Sequence, residues 1–127
     1  MPDKAKRYRI GDLVREFDVT PRTLRYYEEL GLLAPERRGN QRYYTPRDRT
    51  RLRLILRGRR LGFSLEEIEK MLALYDLDPS GKTQLKEVLR MGEAKIKAIE
   101  SQIKELKALK KEIEARAREL RRLLEED

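Results

Sequence analysis

Apolar positions in the first half of the chain recur at helical spacing in short runs, and capping or turn residues separate one run from the next. Ile10, Leu13, Val14 and Phe17 fall at i, i+3, i+4 and i+7, the buried stripe of a short amphipathic helix that stops near Asp18. Val19, Thr20 and Pro21 then read as staple residue, N-cap and first-turn proline, so a second helix begins after a turn of about three residues. On it Leu24, Tyr27 and Leu30 share the inward face, while Arg22, Arg25, Tyr26 and Glu29 face outward until Gly31 ends the helix. Leu32, Leu33 and Pro35 lead into Glu36 to Tyr44, where Gly39-Asn40 sits between two extended flanks and predicts a small β-hairpin, or wing. Thr45-Pro46-Arg47-Asp48 opens a third helix with Leu52, Ile55 and Leu56 inward, and Gly62 closes it. Ser64 to Glu67 is a capping box for a fourth helix whose buried face is Leu65, Ile68, Met71, Leu72 and Tyr75.

Asp76 to Gly81 is the clear breaker cluster of the second half and places a linker at 76–82. Beyond it the apolar stripe narrows. Ile96, Ile99, Ile103, Leu106, Lys110, Ile113, Ala117, Leu120 and Leu124 step by 3 and 4 in alternation, the seam of a coiled coil. A continuous helix from Thr83 to Leu124 would run roughly 60 Å. That is too long to be covered by the small domain before it, so the expected partner is a second copy of the chain. Lys110 occupies an a-type position; it is either a register device or a stem that snorkels out of the stripe beside Leu109, and the residues leave both readings open. The fold expected is mainly α: a winged helix-turn-helix domain over 1–75, the linker, and a dimerisation helix over 83–127.

Charge separates the same two halves. Residues 1–62 carry 17 Lys and Arg against 8 Asp and Glu, whereas residues 63–127 carry 14 against 15. The net charge of +8 therefore resides in the N-terminal half, which is the candidate for binding a polyanion. Of its 17 basic residues 15 are Arg, whose planar fork suits phosphates and guanine edges. An Arg-rich thermostable surface would give the same count, so charge alone does not decide. A charged fraction of 43% with aromatics at 6% is high for one globule but ordinary for a small core joined to a long solvated helix.

The chain has no Cys and no His, which removes thiolate and imidazole metal sites, Cys or His nucleophiles, thiol redox sensing and disulfides together. Gly81-Lys82-Thr83 resembles a phosphate-binding loop, but position 76 is Asp where that loop needs Gly. Asp76 and Asp78 are better turn and cap residues than a metal pair. No Ser lies near a base in any recognisable pattern, so an enzyme is not expected, and neither is a cofactor or metal. Met1 to Arg9 is basic without a following apolar region and no run approaches a membrane span, so a cytoplasmic location with no membrane partner is expected.

What remains is a constellation for double-stranded DNA. Thr20, Arg22, Thr23, Arg25 and Tyr26 sit on or at the start of a second helix placed to enter a major groove. Arg37, Arg38, Arg42 and Tyr43 on the wing can reach flanking phosphates or the minor groove, and Tyr44 supplies a further hydroxyl. The run Thr20-Pro21-Arg22-Thr23-Leu24-Arg25-Tyr26-Tyr27-Glu28-Glu29-Leu30-Gly31-Leu32-Leu33, then Arg42-Tyr43-Tyr44, then Leu61-Gly62-Phe63-Ser64-Leu65-Glu66-Glu67-Ile68, resembles the MerR family of transcriptional regulators over residues 8 to about 75. Leu56 to Ser64 and Leu74-Tyr75-Asp76 further resemble a subgroup that controls branched-chain amino acid and acyl-CoA catabolism.

The resemblance implies a homodimer joined by an antiparallel coiled coil, with each winged domain reading one half of a palindromic promoter operator. It also implies bending and untwisting of that promoter, so that RNA polymerase is affected indirectly through the DNA. On this basis Thr20, Arg22, Arg25 and Tyr26 match recognition-helix contacts and Arg37, Arg42 and Tyr43 match wing contacts, with Leu24 and Tyr27 packed inward. The chain departs from the family's metal and redox sensors, which use cysteines near the end of the dimer helix. With the sequence ending at Asp127, no separate ligand domain is expected, and an effector such as an acyl-CoA would lie near Tyr75 to Gln84 or at the helix tips. Whether any effector exists stays open. A sequence-tolerant architectural DNA-binding protein is the alternative; an RNA-binding or assembly module is less suited, because the exposed aromatic platform for single-stranded RNA is missing.

Overall fold

A computed structural model describes residues 6–77 and 82–126. The chain divides into two compact units, Met1–Ser80 and Gly81–Asp127. In the first, α1 (Ile10–Phe17) and α2 (Pro21–Glu29) precede an antiparallel hairpin of β1 (Glu36–Arg38) and β2 (Gln41–Tyr43), followed by α3 (Pro46–Arg60) and α4 (Leu65–Leu77). The second is α5 (Lys82–Glu125).

Local chemistry sets the helix ends. Asp18 closes α1 in the left-handed region, at φ 54°, and Thr20 caps α2 by accepting from the Thr23 amide at 3.2 Å. Gly31 and Gly62, at φ 78° and 88°, end α2 and α3 in the same way. In each, the amides of the glycine and of the residue after it satisfy two carbonyls of the last turn: Gly31 to Glu28 and Leu32 to Tyr27, then Gly62 to Arg59 and Phe63 to Gly58. This geometry explains one departure from the pattern. Leu30, expected inward, is the terminal cap residue of α2 and is 43% exposed, because the chain turns away before its side chain reaches the core.

Thr45 and Asp48 form a reciprocal capping box on α3, and Ser64 and Glu67 do so on α4. Asp48 is buried and its carboxylate also accepts from the Ala34 amide at 3.1 Å, so one cap ties the segment after α2 to α3. The core comprises Leu13, Leu24, Tyr27, Leu32, Leu33, Tyr44, Leu52, Ile55, Phe63, Ile68 and Leu72. Each large side chain removed from water in this way contributes about 1.5–3 kcal/mol. Where α3 crosses α4, a Cβ on Gly58 would meet Ile68 Cγ1 at 2.8 Å, so only glycine allows that approach.

The expected linker shrinks at both ends. Asp76 and Leu77 still belong to α4 and Lys82 already belongs to α5, while the rest of the breaker cluster, including Asp78 and Gly81, lies outside the described residues. The last turn of α4 holds because the Asp76 carboxylate takes Arg47 at 2.6 Å and Arg51 at 2.7 Å, both from α3. Over its 44 residues α5 is unbroken, which at 1.5 Å per residue gives about 66 Å. Ile96, Ile99, Ile103, Leu106, Ile113, Leu120 and Leu124 are all exposed along it, Ala117 is partly covered and Lys110 is exposed. Leu85 and Leu89, also exposed, continue the stripe upstream through Gly92. Among the described residues no helix is long and apolar enough to cross a membrane.

Candidate nucleic-acid interface

The face of α2 turned away from the core is the first component. Leu24 and Tyr27 are buried, which fixes the rotation of the helix and leaves Arg22, Arg25 and Tyr26 in solvent. Arg22 and Arg25 form no ion pair or hydrogen bond with a described residue, so their five-donor guanidinium forks are unspent. Tyr26 is 46% exposed, with its ring tilted against that of Tyr27 at 5.7 Å between centroids. At the helix start Thr20 and Thr23 share a hydroxyl contact of 3.1 Å, and the first-turn amides add positive potential at that end.

The wing is the second component, and its two faces do different things. Glu36 pairs with Tyr43, Arg37 with Arg42 and Arg38 with Gln41 in the hairpin register. Gly39, at φ 63°, supplies the positive φ of the tight turn. One face turns toward α2: Arg42 Nε donates to Glu28 Oε1 at 3.0 Å, Arg37 lies 3.6 Å from the same oxygen, and the Tyr44 hydroxyl donates to Glu28 Oε2 at 2.8 Å. The other meets the segment before α1. There Arg7 pairs with Glu36 at 3.0 Å, Arg9 bonds Gln41, and the Tyr43 ring has the Arg9 and Arg38 guanidiniums 5.4 and 5.5 Å from its centroid. The Arg7 hydrogen bond holds Glu36 below the usual carboxylate range.

These contacts sort the expected wing residues. Arg37 and Arg38 are exposed and keep donors for an outside partner. Arg42 is only 28% exposed and is largely engaged with Glu28. Tyr44, expected as an outward hydroxyl, is fully buried and bridges backbone to backbone with Tyr8 at 2.8 Å in both directions. Burial, then its bond to the Glu28 carboxylate, pushes the Tyr44 phenol far above the usual tyrosine range, so it stays neutral and points inward. Arg9 and Glu28 were not expected at the site. Nothing periodic marks them; both are placed by pairing with residues far along the chain.

A third basic surface was also missed. Arg57, Arg59 and Arg60 are exposed on the last turn of α3, and the turn through Gly62 to the N-terminus of α4 follows directly. Behind α2, Arg49 on α3 bonds Glu16 on α1 and lies over the Tyr8 ring, fixing α1 to α3. That bond, chiefly, lowers the Glu16 carboxyl below its ordinary value. No group of His, Cys, Asp and Glu among the described residues could hold a metal ion. Asp76, expected as a turn residue, instead binds arginines: burial alone would raise its pKa, but hydrogen bonds from Arg47 and Arg51 outweigh that and hold it low. Of the effector region expected at Tyr75 to Gln84, residues 78–81 lie outside the described residues.

Residues 8–74, just over half of the chain, match the MerR HTH family regulatory proteins, and residues 49–116 match the family's region described as "MerR, DNA binding". The chain belongs to the MerR family. Its relatives include the HTH-type transcriptional regulator ZntR of Escherichia coli strain K12, 39% identical over 103 residues that span 80% of this chain and 72% of ZntR. Among solved structures it is similar to the transcription regulator PbrR691 of Ralstonia metallidurans CH34 in complex with lead(II). That likeness has a TM-score of 0.70 and 36% identity, and covers 84% of this chain and 82% of the other. It is also similar to HiNmlR, a MerR family regulator lacking the sensor domain and bound to promoter DNA, with a TM-score of 0.57, 27% identity and coverage of 80% and 76%. This MerR-family chain is thus a DNA-binding transcriptional regulator with a mainly helical fold, and not an enzyme.

Proposed function

We propose that the chain binds a palindromic promoter site as a homodimer and controls transcription by distorting the duplex, acting on RNA polymerase through the DNA. The observation that carries this is the pairing of an unspent Arg22-Arg25-Tyr26 face on α2 with an adjoining wing that presents Arg37, Arg38 and Tyr43. Thr20, Thr23 and Arg42 complete the contact set, the last as much through its hold on the wing as through DNA. Arg57, Arg59 and Arg60 add phosphate contacts, which supply the energy that bending and untwisting consume. The dimer forms through the α5 seam of Ile96, Ile99, Ile103, Leu106, Lys110, Ile113, Ala117 and Leu120, packed antiparallel. The domain division that goes with this reading is a winged helix-turn-helix unit that ends with α4 at Leu77 and a dimerisation helix that begins at Lys82, working in the cytoplasm.

Selection from random duplex DNA tests this reading. A palindromic motif with two half-sites is the expected product, and that duplex should outcompete random DNA by at least ~10³. Enrichment of no motif, with binding that vanishes steeply as salt rises, would overturn it and leave an architectural DNA-binding protein.

For the effector, we propose an acyl-CoA or related metabolite rather than a thiophilic metal. Two features support this: the likeness of Leu56 to Ser64 and Leu74-Tyr75-Asp76 to the acyl-CoA catabolic subgroup, and a chain with neither Cys nor His to ligate a soft ion. Titrating the protein–operator complex with acyl-CoAs, and separately with zinc and lead, should shift DNA affinity only in the first case. A response to the metals alone would overturn the proposal.

A further inference from the structure

We infer that Glu28 is a positioning residue that locks the wing to the recognition helix, so that base-reading and flanking contacts act as one rigid unit. The inference rests on the DNA-binding role proposed for α2 and the wing. Glu28 lies on α2 three residues after Arg25, yet its side chain is only 11% exposed. A carboxylate so covered is retained only when well paired, and on a helix that meets phosphates its charge opposes binding. Among the described residues its partners all come from the wing: Arg42 at 3.0 Å, Arg37 at 3.6 Å and the Tyr44 hydroxyl at 2.8 Å.

The register explains why an acid is needed there. Arg37 and Arg42 are direct cross-strand partners, and like charges facing each other weaken a hairpin. Side chains alternate along a strand, so Tyr44 shares the face of Arg42. Glu28 inserts against that face, neutralises the arginine pair and holds the phenol. Without it the wing would keep its turn and its contacts to Arg7 and Arg9 but lose its fixed distance from Arg22 and Arg25. Contacts held in place beforehand cost less to form on the ligand, which favours the site that fits both at once.

The test uses the full chain and two duplexes, the one enriched by the selection above and a scrambled one, titrated by fluorescence anisotropy. Glu28→Gln should lower affinity for the enriched duplex at least ~10-fold, as loss of a charged hydrogen bond implies. It should leave affinity for the scrambled duplex equal or higher, with an unchanged far-ultraviolet dichroism spectrum. If Glu28 mattered only as a charge, Glu28→Gln would tighten both duplexes by the same factor; that result, or an unchanged ratio, overturns the inference. Tyr44→Phe keeps the charge and removes one partner, and should lower the same ratio by about 2- to 5-fold. Should Glu28→Gln not fold, Tyr44→Phe decides alone, and an unchanged ratio counts against Glu28. If the wild-type chain itself fails to distinguish the duplexes, the reading of α2 falls; if wild type distinguishes them and both variants do so equally well, only the role of Glu28 falls.

Discussion

The apolar residues of the winged unit and those of α5 follow the same helical spacing, yet they end in opposite environments. Leu13, Leu24, Leu52, Ile55, Ile68 and Leu72 are almost wholly buried within their own chain, whereas Ile96, Ile99, Ile103 and Leu106 are each at least 42% exposed. The difference lies in width and company. Short helices joined by tight caps fold back on one another and supply each other's buried faces, while a single straight helix with a narrow stripe has no second layer of its own. The winged unit should therefore owe its stability to one chain, and α5 should owe its to two.

Replacing Ile99 and Ile103 together with Asp tests the second half of that statement and should have the largest effect. Sedimentation should report monomers, and operator affinity should drop ~10³-fold or more as two half-sites cease to be linked. A variant that stays dimeric and binds would place the interface elsewhere. On the winged unit, Arg22→Ala or Arg25→Ala should each cost about 1–3 kcal/mol of operator binding with no change in dimerisation or dichroism. An affinity equal to wild type would remove that residue from the contact set.

Much of the winged unit could be read from its residues because its caps are local. Thr20, Thr45 and the Ser64–Glu67 pair each bond three positions away, and Gly31, Gly39 and Gly62 stand where the backbone turns left-handed. The outward set of Arg22, Arg25 and Tyr26 followed from the buried set by helical geometry alone. What could not be read was long-range pairing. The bridge of Tyr8 to Tyr44, the hold of Glu28 on Arg42 and the stacking of Arg9 on Tyr43 join residues that leave no periodic trace. Those pairings turned Tyr44 from an outward hydroxyl into a core residue and brought Arg9 to the wing. In α5 the seam was legible from Ile96 onward, but Leu85 and Leu89 were missed because Gly92 interrupts the apolar run.

Gly58→Ala sharpens the comparison from the side of the winged unit. Alanine favours a helix over glycine by about 1 kcal/mol. Forcing a methyl to 2.8 Å from Ile68 Cγ1 costs about 1–3 kcal/mol by overpacking. The net loss should be about 1 kcal/mol or somewhat more, read as a lower melting temperature that is independent of protein concentration. A loss that scaled with concentration would mean that the winged unit and the dimer do not fold separately.

Acid titration should produce the smallest effect and again divide the two regions. Glu16, Glu36 and Asp76, all in the winged unit, have carboxyl pKa values lowered by arginine partners. A group with a lower pKa folded than unfolded contributes its stabilisation fully above the unfolded value and loses it as pH falls through the folded one. With unfolded values near about 4, stability should be level from neutral pH down to about 5 and decline below about 4. The absence of His removes the side chain that ordinarily titrates between those limits and neutrality. Asp76→Asn should flatten part of the acid decline by less than about 1 kcal/mol, since Asp76 is about a third exposed and Arg47 mostly in solvent, which screens the pairing. Glu87 and Glu119 on α5 pair with arginines three residues away on the same helix, exposed pairs that each stabilise it only slightly, so α5 association should owe little to them. Chemical unfolding of wild type and Asp76→Asn at pH 3, 5 and 7 measures both. A decline that begins above pH 5 would mean that the Arg47–Asp76–Arg51 latch is not what acid opens first.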